Sequence, residues 1–79
     1  MAHTTHTENT LGAHVAALIQ QRGYTLREFA EATDIPLVTL HRRLRSQSVR
    51  FTYSELARAA AALGTTAGAI ITAFEEKAA

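Results

Sequence analysis

The sequence predicts an all-α domain of five short helices, and three observations support this prediction. Apolar residues recur at intervals of three and four from Leu11 onward, the spacing of one buried helix face. Residue types that start and stop helices stand between these runs. No segment combines alternation of apolar and polar residues with the β-branched enrichment of a strand. With 79 residues, the chain has room for a single domain.

The first predicted helix is the run LGAHVAALIQQR. Asn9 or Thr10 is expected to cap its first turn, because a short polar side chain can accept a backbone N–H there. Gly23 follows the run as a helix stop. The residues at helical spacing on its buried face are Leu11, Val15, Leu18 and Ile19.

Thr25 and Glu28 form a capping box that predicts the start of the second helix. Its buried stripe is predicted to be Leu26, Phe29 and Ala30. The third helix is expected to begin at Pro36, which suits a first helical position because its missing N–H would be unpaired there anyway. It should end near Arg45, before the polar connection at 46–48.

A second capping box, Thr52 with Glu55, predicts a fourth helix that runs to Gly64. The fifth helix should begin at Thr65 or Thr66. The predicted buried faces are Leu56, Ala60 and Leu63 in the fourth helix, and Ala67, Ile70, Ile71 and Phe74 in the fifth.

Composition argues against several classes of function. The chain has no Cys, which excludes disulfides, zinc–thiolate sites and a Cys nucleophile, and no apolar run approaches a membrane span. No arrangement of Ser, His and acid resembles a catalytic site, so we expect neither an enzyme nor a cofactor. The four His residues lack metal-ligand spacing. A cytoplasmic protein is expected, with residues 1–9 as a flexible tail and 10–79 as the domain.

Positive charge is concentrated in one segment, although the net charge of the chain is only +1. No acidic residue occurs from Ile35 to Ser54, and four of the eight basic residues lie there: Arg42, Arg43, Arg45 and Arg50. A near-neutral protein with one cationic segment is suited to present that segment to an anion. A solvated basic loop with no partner is the other interpretation of such a cluster.

The segment TLREFAEATDIPLVTLHRRL resembles the helix-turn-helix of lambda-repressor-like (Cro/repressor, Xre-type) DNA-binding domains. Ala30 matches the small residue in the first motif helix, and Ile35 and Leu40 match the family's aliphatic positions. Asp34 stands where family members commonly have Gly, because that turn residue tends to adopt a positive φ. One helix before the motif and two after it extend the resemblance over about residues 10–75.

The resemblance implies a compact five-helix fold that binds double-stranded DNA, with the second motif helix in the major groove. The residues expected to contact bases are Leu37, Val38, Thr39, His41 and Arg42. Aliphatic side chains can lie against thymine methyl groups, and arginine can donate two hydrogen bonds to guanine. The residues expected to contact phosphates are Thr25, Arg27, Arg43, Arg45, Arg50 and Thr52.

These observations predict a sequence-specific transcriptional regulator, such as a phage- or prophage-type repressor or a Cro-like factor. A protein-interaction module, such as an antitoxin-like partner, is the alternative, since exposed aliphatic residues also mark protein interfaces. The outer face of the fifth helix offers only Ala69, Ala73 and Ile71 for a dimer contact. We therefore expect a monomer in solution or a weak homodimer on DNA.

Overall fold

The computed structural model describes residues 10–45 and 51–78 of the chain. These residues form five α-helices and contain no strand, which confirms the all-α prediction. The expected tail at 1–9, the connection at 46–48 and Arg50 lie outside the described residues. The helices are α1 (Leu11–Gln21), α2 (Leu26–Thr33), α3 (Leu37–Arg45), α4 (Tyr53–Ala62) and α5 (Ala67–Ala78).

Both predicted capping boxes are present. The Thr25 side chain accepts a hydrogen bond from the Glu28 N–H at 3.1 Å, and the Glu28 carboxylate accepts one from the Thr25 N–H at 2.9 Å. Thr52 and Glu55 make the same reciprocal pair at 3.1 and 3.0 Å. Each pair satisfies two amides that a helix start would otherwise leave without a partner.

The other helix ends depart little from the expectation. Thr10 caps α1 by accepting from the Ala13 N–H at 3.1 Å, and Thr66 does the same for α5. Helix α3 begins at Leu37, one residue later than predicted. Pro36 lies just before it, and its carbonyl accepts the first backbone hydrogen bond of the helix, from Leu40, at 2.9 Å.

One hydrophobic core joins the five helices, and every helix contributes to it. Helix α1 packs against α3 and α5, α2 packs against α3 and α4, and α4 packs against α5. Most of the predicted faces are buried, whereas Leu11, Leu18, Leu26 and Ile71 are half-buried at its edge, and Phe74 is half-buried as well. The largest side chains at its centre are Phe29, Ile19, Leu40, Leu63, Ile70 and Val15.

Helices α1 and α3 approach each other closely at Gly12, where α1 meets the last turn of α3. A Cβ atom at Gly12 would lie 2.6 Å from the carbonyl oxygen of Arg43 and 2.7 Å from that of Leu44. Real Cβ atoms do not approach backbone oxygens so closely, so only glycine permits this distance. Gly12 is the second residue of α1, and the lack of a side chain there allows α3 to lie against α1.

His14 and Phe74 join α1 to α5, with ring centroids 5.8 Å apart. The Nε2 atom of His14 is buried and has no hydrogen-bond partner. Burial lowers the pKa of His14, and the charge of Lys77 lowers it further. The imidazole therefore packs as a neutral, largely apolar ring in this contact.

No single helix in the described part of the chain is long and apolar enough to cross a membrane. Helices α4 and α5 reach that length and composition only as a pair, and the chain bends by 93° between them. The inward faces of both helices belong to the core.

We expect Gly12→Ala to lower the free energy of unfolding by about 1–3 kcal/mol, because the methyl group would force α1 away from α3. Gly68→Ala is the matched control, since nothing lies within 4 Å of a Cβ atom there. That variant should be neutral or more stable by up to about 1 kcal/mol, from helix propensity. Urea denaturation of both variants measures the difference, and equal stabilities would show that the helices are not in close contact at Gly12.

Candidate functional site

The turn between α2 and α3 sets the direction in which α3 leaves α2. Asp34 has φ 59° and ψ 31°, the left-handed conformation expected from the resemblance. The carbonyl of Ala30 accepts hydrogen bonds from the N–H groups of Asp34 and Ile35. Ile35 is buried, so the residue after the turn anchors it in the core. Local hydrogen bonds and one apolar anchor thus fix the turn.

Two buried leucines decide which side of α3 faces solvent. Leu40 is fully buried and Leu44 nearly so. At about 100° per residue, Arg42 lies on the side of an ideal helix opposite to both leucines. Val38 precedes Arg42 by four residues and therefore lies on the same side. The exposed side of α3 is thus determined by the position of its core residues.

Four of the five residues expected to contact bases are exposed on α3, and Thr39 is the exception. Val38 is 72% exposed and Leu37 is 37% exposed, whereas the large aliphatic side chains of the core are almost fully buried. His41 and Arg42 are also exposed, whereas Thr39 is half-buried. We call the exposed residues of the helix the outward face of α3: Leu37, Val38, His41, Arg42 and Arg45.

Arg45 and His41 contact each other on the outward face. The distance between Arg45 Nη1 and His41 Nε2 is 3.3 Å, so a neutral imidazole can accept a hydrogen bond from the guanidinium. The two residues are four apart on the helix, the spacing that brings side chains together. This contact holds the Arg45 guanidinium against the His41 imidazole on the exposed side of α3.

The sequence predicts that Arg43 contacts a DNA phosphate, but in the structure Arg43 pairs with a carboxylate of the protein. Its Nε donates to Glu55 Oε1 at 2.7 Å and its Nη2 donates to Glu55 Oε2 at 3.1 Å. The hydrogen bond from Arg43 holds the pKa of the Glu55 carboxyl below its usual range, and the same bond raises the pKa of Arg43. The structure therefore places Arg43 in an ion pair between α3 and α4.

The remaining residues expected at phosphates have varied surroundings. Arg27 is exposed on α2 and lines a shallow cleft that also includes Leu37. Thr25 and Thr52 are exposed, but each uses its hydroxyl oxygen and its N–H in its capping box. The helix starts at these residues therefore already hold a carboxylate, which limits their capacity for a second anion.

Tyr53 is a residue that the sequence reasoning did not select. It is the first residue of α4, follows the cap Thr52, and is 78% exposed. An aromatic ring with a hydroxyl group can contact both apolar and polar partners. Its position after a capping threonine was no signal for exposure, since Leu26 holds the same position in α2 and is half-buried.

Among residues 10–45 and 51–78, no group of three or more His, Asp or Glu side chains is placed to hold a metal ion. The chain also contains no Cys. The exposed chemistry of α3 is therefore that of cations, an imidazole and aliphatic groups.

Comparisons with known proteins found no matching family model, no matching curated protein and no matching solved structure. The likeness to lambda-repressor-like domains thus depends on the motif residues themselves. The structure itself shows five helices and the exposed cationic and aliphatic residues of α3.

We expect Asp34→Gly to be more stable than Asp34→Ala by about 1 kcal/mol, because a Cβ atom is unfavourable in the left-handed conformation and alanine lacks a polar side chain to compensate. Glu31→Ala, an exposed helical position, is the control and should change stability by less than about 0.5 kcal/mol. Chemical denaturation of the three variants measures these values. Equal stability of the Ala and Gly variants would contradict a left-handed turn in solution.

Proposed function

We propose that this protein is a sequence-specific double-stranded DNA-binding regulator of transcription, with α2 and α3 as a helix-turn-helix. The observation that carries the proposal is the outward face of α3. It presents Arg42, Arg45 and His41 together with two exposed aliphatic residues, and the helix contains no acidic residue. A helix that packs against the core on one side and is cationic on the other suits the major groove, which admits a single α-helix.

The chemistry of the outward face matches that of base edges. Arg42 points away from the core and can donate two hydrogen bonds to O6 and N7 of guanine. Val38, which is 72% exposed, can lie against a thymine methyl group, and Leu37 can extend that contact. His41 and Thr39 add hydrogen-bonding groups beside them. The proposed DNA site thus contains a guanine for Arg42 and, next to it, one or more adenine–thymine pairs for Val38 and Leu37.

Contacts with phosphates would come from the cations around this face. Arg45 and Arg27 are exposed on α3 and α2, and Arg50 belongs to the same acid-free segment of the sequence. Such contacts fix the position of a protein on the duplex without reading its sequence. The simplest regulatory mechanism for such a protein is occlusion of RNA polymerase, as for a repressor or a Cro-like factor in the cytoplasm.

A protein-interaction module is the second candidate, and the exposure of Val38 and Tyr53 favours it. A dry interface would have to desolvate or pair the arginines of the outward face, which is costly. The two functions differ in their response to salt. Affinity for DNA falls steeply as salt increases, whereas an apolar protein interface barely responds.

We propose a monomer in solution, with any homodimer weak and formed on DNA. On α5, Ala69 and Ala73 are exposed, but Ile71 is half-buried against the core. This leaves much less apolar area than the roughly 800 Å² per partner of a standard interface. Stable dimers bind two half-sites related by two-fold symmetry. A monomer should instead select one asymmetric site.

Selection of bound duplexes from a random pool, followed by titration from about 50 to 200 mM salt, tests the proposed function. We expect enrichment of a short asymmetric sequence and a steep loss of affinity with salt. Absence of any enriched sequence, or salt-independent association with a protein, would contradict it. An enriched palindrome would contradict the monomer.

Arg42→Ala should weaken binding to the selected site by about 1–3 kcal/mol, roughly 5- to 150-fold, and relax one base position. Arg22→Ala is a matched control that removes the same charge. The guanidinium of Arg22 lies beside Gly64, past the C-terminal end of α4. Thr52, one of the residues expected at phosphates, is at the opposite end of that helix. Competition binding with single-base variants of the site measures both. An unchanged base preference in Arg42→Ala would show that Arg42 does not read a base.

Arg45→Ala should weaken binding to all duplexes alike and reduce the slope of log affinity against log salt by about one. The reason is that a phosphate contact releases counterions irrespective of sequence. Fluorescence anisotropy at four or five salt concentrations, with the selected and a scrambled duplex, provides the slopes. A loss restricted to the selected duplex would instead assign Arg45 to a base.

A further inference from the structure

The ion pair between Arg43 and Glu55 lies on the side of α3 that faces α4, away from the outward face. Arg43 is one residue, or about 100°, from Arg42 on the helix. Its side chain is only 19% exposed and that of Glu55 is 18% exposed. The pair is thus partly shielded from solvent and is stronger than a freely solvated surface pair.

Glu55 joins the last turn of α3 to the start of α4 through one carboxylate. Its Oε1 accepts from Arg43 Nε at 2.7 Å and from the Thr52 N–H at 3.0 Å, while its Oε2 accepts from Arg43 Nη2 at 3.1 Å. Two parallel hydrogen bonds between planar groups fix both the distance and the orientation of the partners. The last turn of α3 is therefore held at a defined position relative to the first turn of α4.

We infer that Arg43 and Glu55 are positioning residues for DNA binding, an inference that depends on the proposed function. Glu55 holds Arg43 away from phosphate and fixes the orientation in which the outward face of α3 enters the groove. Without Glu55, Arg43 is a free cation beside the duplex. It then adds affinity for any sequence while α3 loses part of its fixed orientation, so specificity falls.

Glu55→Gln tests this assignment with little change to the helix start, because glutamine also serves in a capping box. Glu28→Gln is the matched control: Glu28 occupies the same position in the capping box of α2, and within residues 10–45 and 51–78 its side chain pairs with Thr25 and with no arginine. Thermal unfolding of both variants checks that they are folded. Both variants remove one negative charge, so charge alone affects them equally.

The expected result in Glu55→Gln is an increase of up to about one in the magnitude of the salt slope, with tighter binding to a scrambled duplex. The ratio of affinities for selected and scrambled duplexes should fall several-fold. Glu28→Gln should leave that ratio unchanged. A pair with only a structural role would lower stability without steepening the slope. A ratio as high as in the unmodified protein would overturn the inference.

The double variant Arg43→Gln with Glu55→Gln removes the pair without changing the net charge. Its salt slope should equal that of the unmodified protein, because Arg43 makes no phosphate contact when Glu55 is present. A slope smaller by about one would show that Arg43 contacts phosphate, as the sequence alone suggested, and would overturn the inference.

A measurement on the free protein separates this inference from the proposed function. In ¹⁵N NMR spectra, the Nε–H of Arg43 should give a hydrogen-bonded, slowly exchanging signal that Glu55→Gln abolishes. The backbone amides of Val38 to His41 should shift in Glu55→Gln and not in Glu28→Gln. Unshifted α3 amides would overturn the positioning role even if DNA binding were confirmed. If the unmodified protein bound no duplex at all, the proposed function would be rejected instead.

Discussion

Burial of Leu40 and Leu44 is the constraint on which the rest of the structure depends. Both side chains belong to the core, and their positions determine the rotation of α3 about its own axis. All other residues of the helix then take their surroundings from that rotation: Arg42 faces solvent, while Arg43 faces α4 and finds Glu55. A change of one residue in the register of these leucines would turn the cations toward the core, where an unpaired charge is very unfavourable.

Features that depend on neighbouring residues could be predicted from the sequence. The pairing of Thr25 with Glu28 and the left-handed Asp34 are decided within a few residues, so a motif is enough to predict them. The exposed side of α3 could also be predicted, because helical periodicity separates Leu40 and Leu44 from the residues between them. The helix count and most of the core follow from the same periodicity.

Features that depend on residues distant in the chain could not be predicted. Arg43 and Glu55 are 12 residues apart and on different helices, and nothing in a single sequence pairs them. The local sequence around Glu55 predicts only a capping box, and the charge pattern alone does not distinguish Arg43 from the other cations. Gly12 was hidden in a run of good helix formers, because its role depends on the carbonyl groups that α3 brings to it.

The contact at Gly12 is made to main-chain atoms of α3, and every residue type supplies the same carbonyl group. The contact between α1 and α3 at Gly12 therefore does not depend on the side chains that α3 exposes to solvent. Residues on the exposed side can be exchanged, singly or together, without altering the surface on which α3 rests. One scaffold can thus present many different surfaces, and a new recognition property could arise in this protein by substitution at a few solvent-facing positions alone.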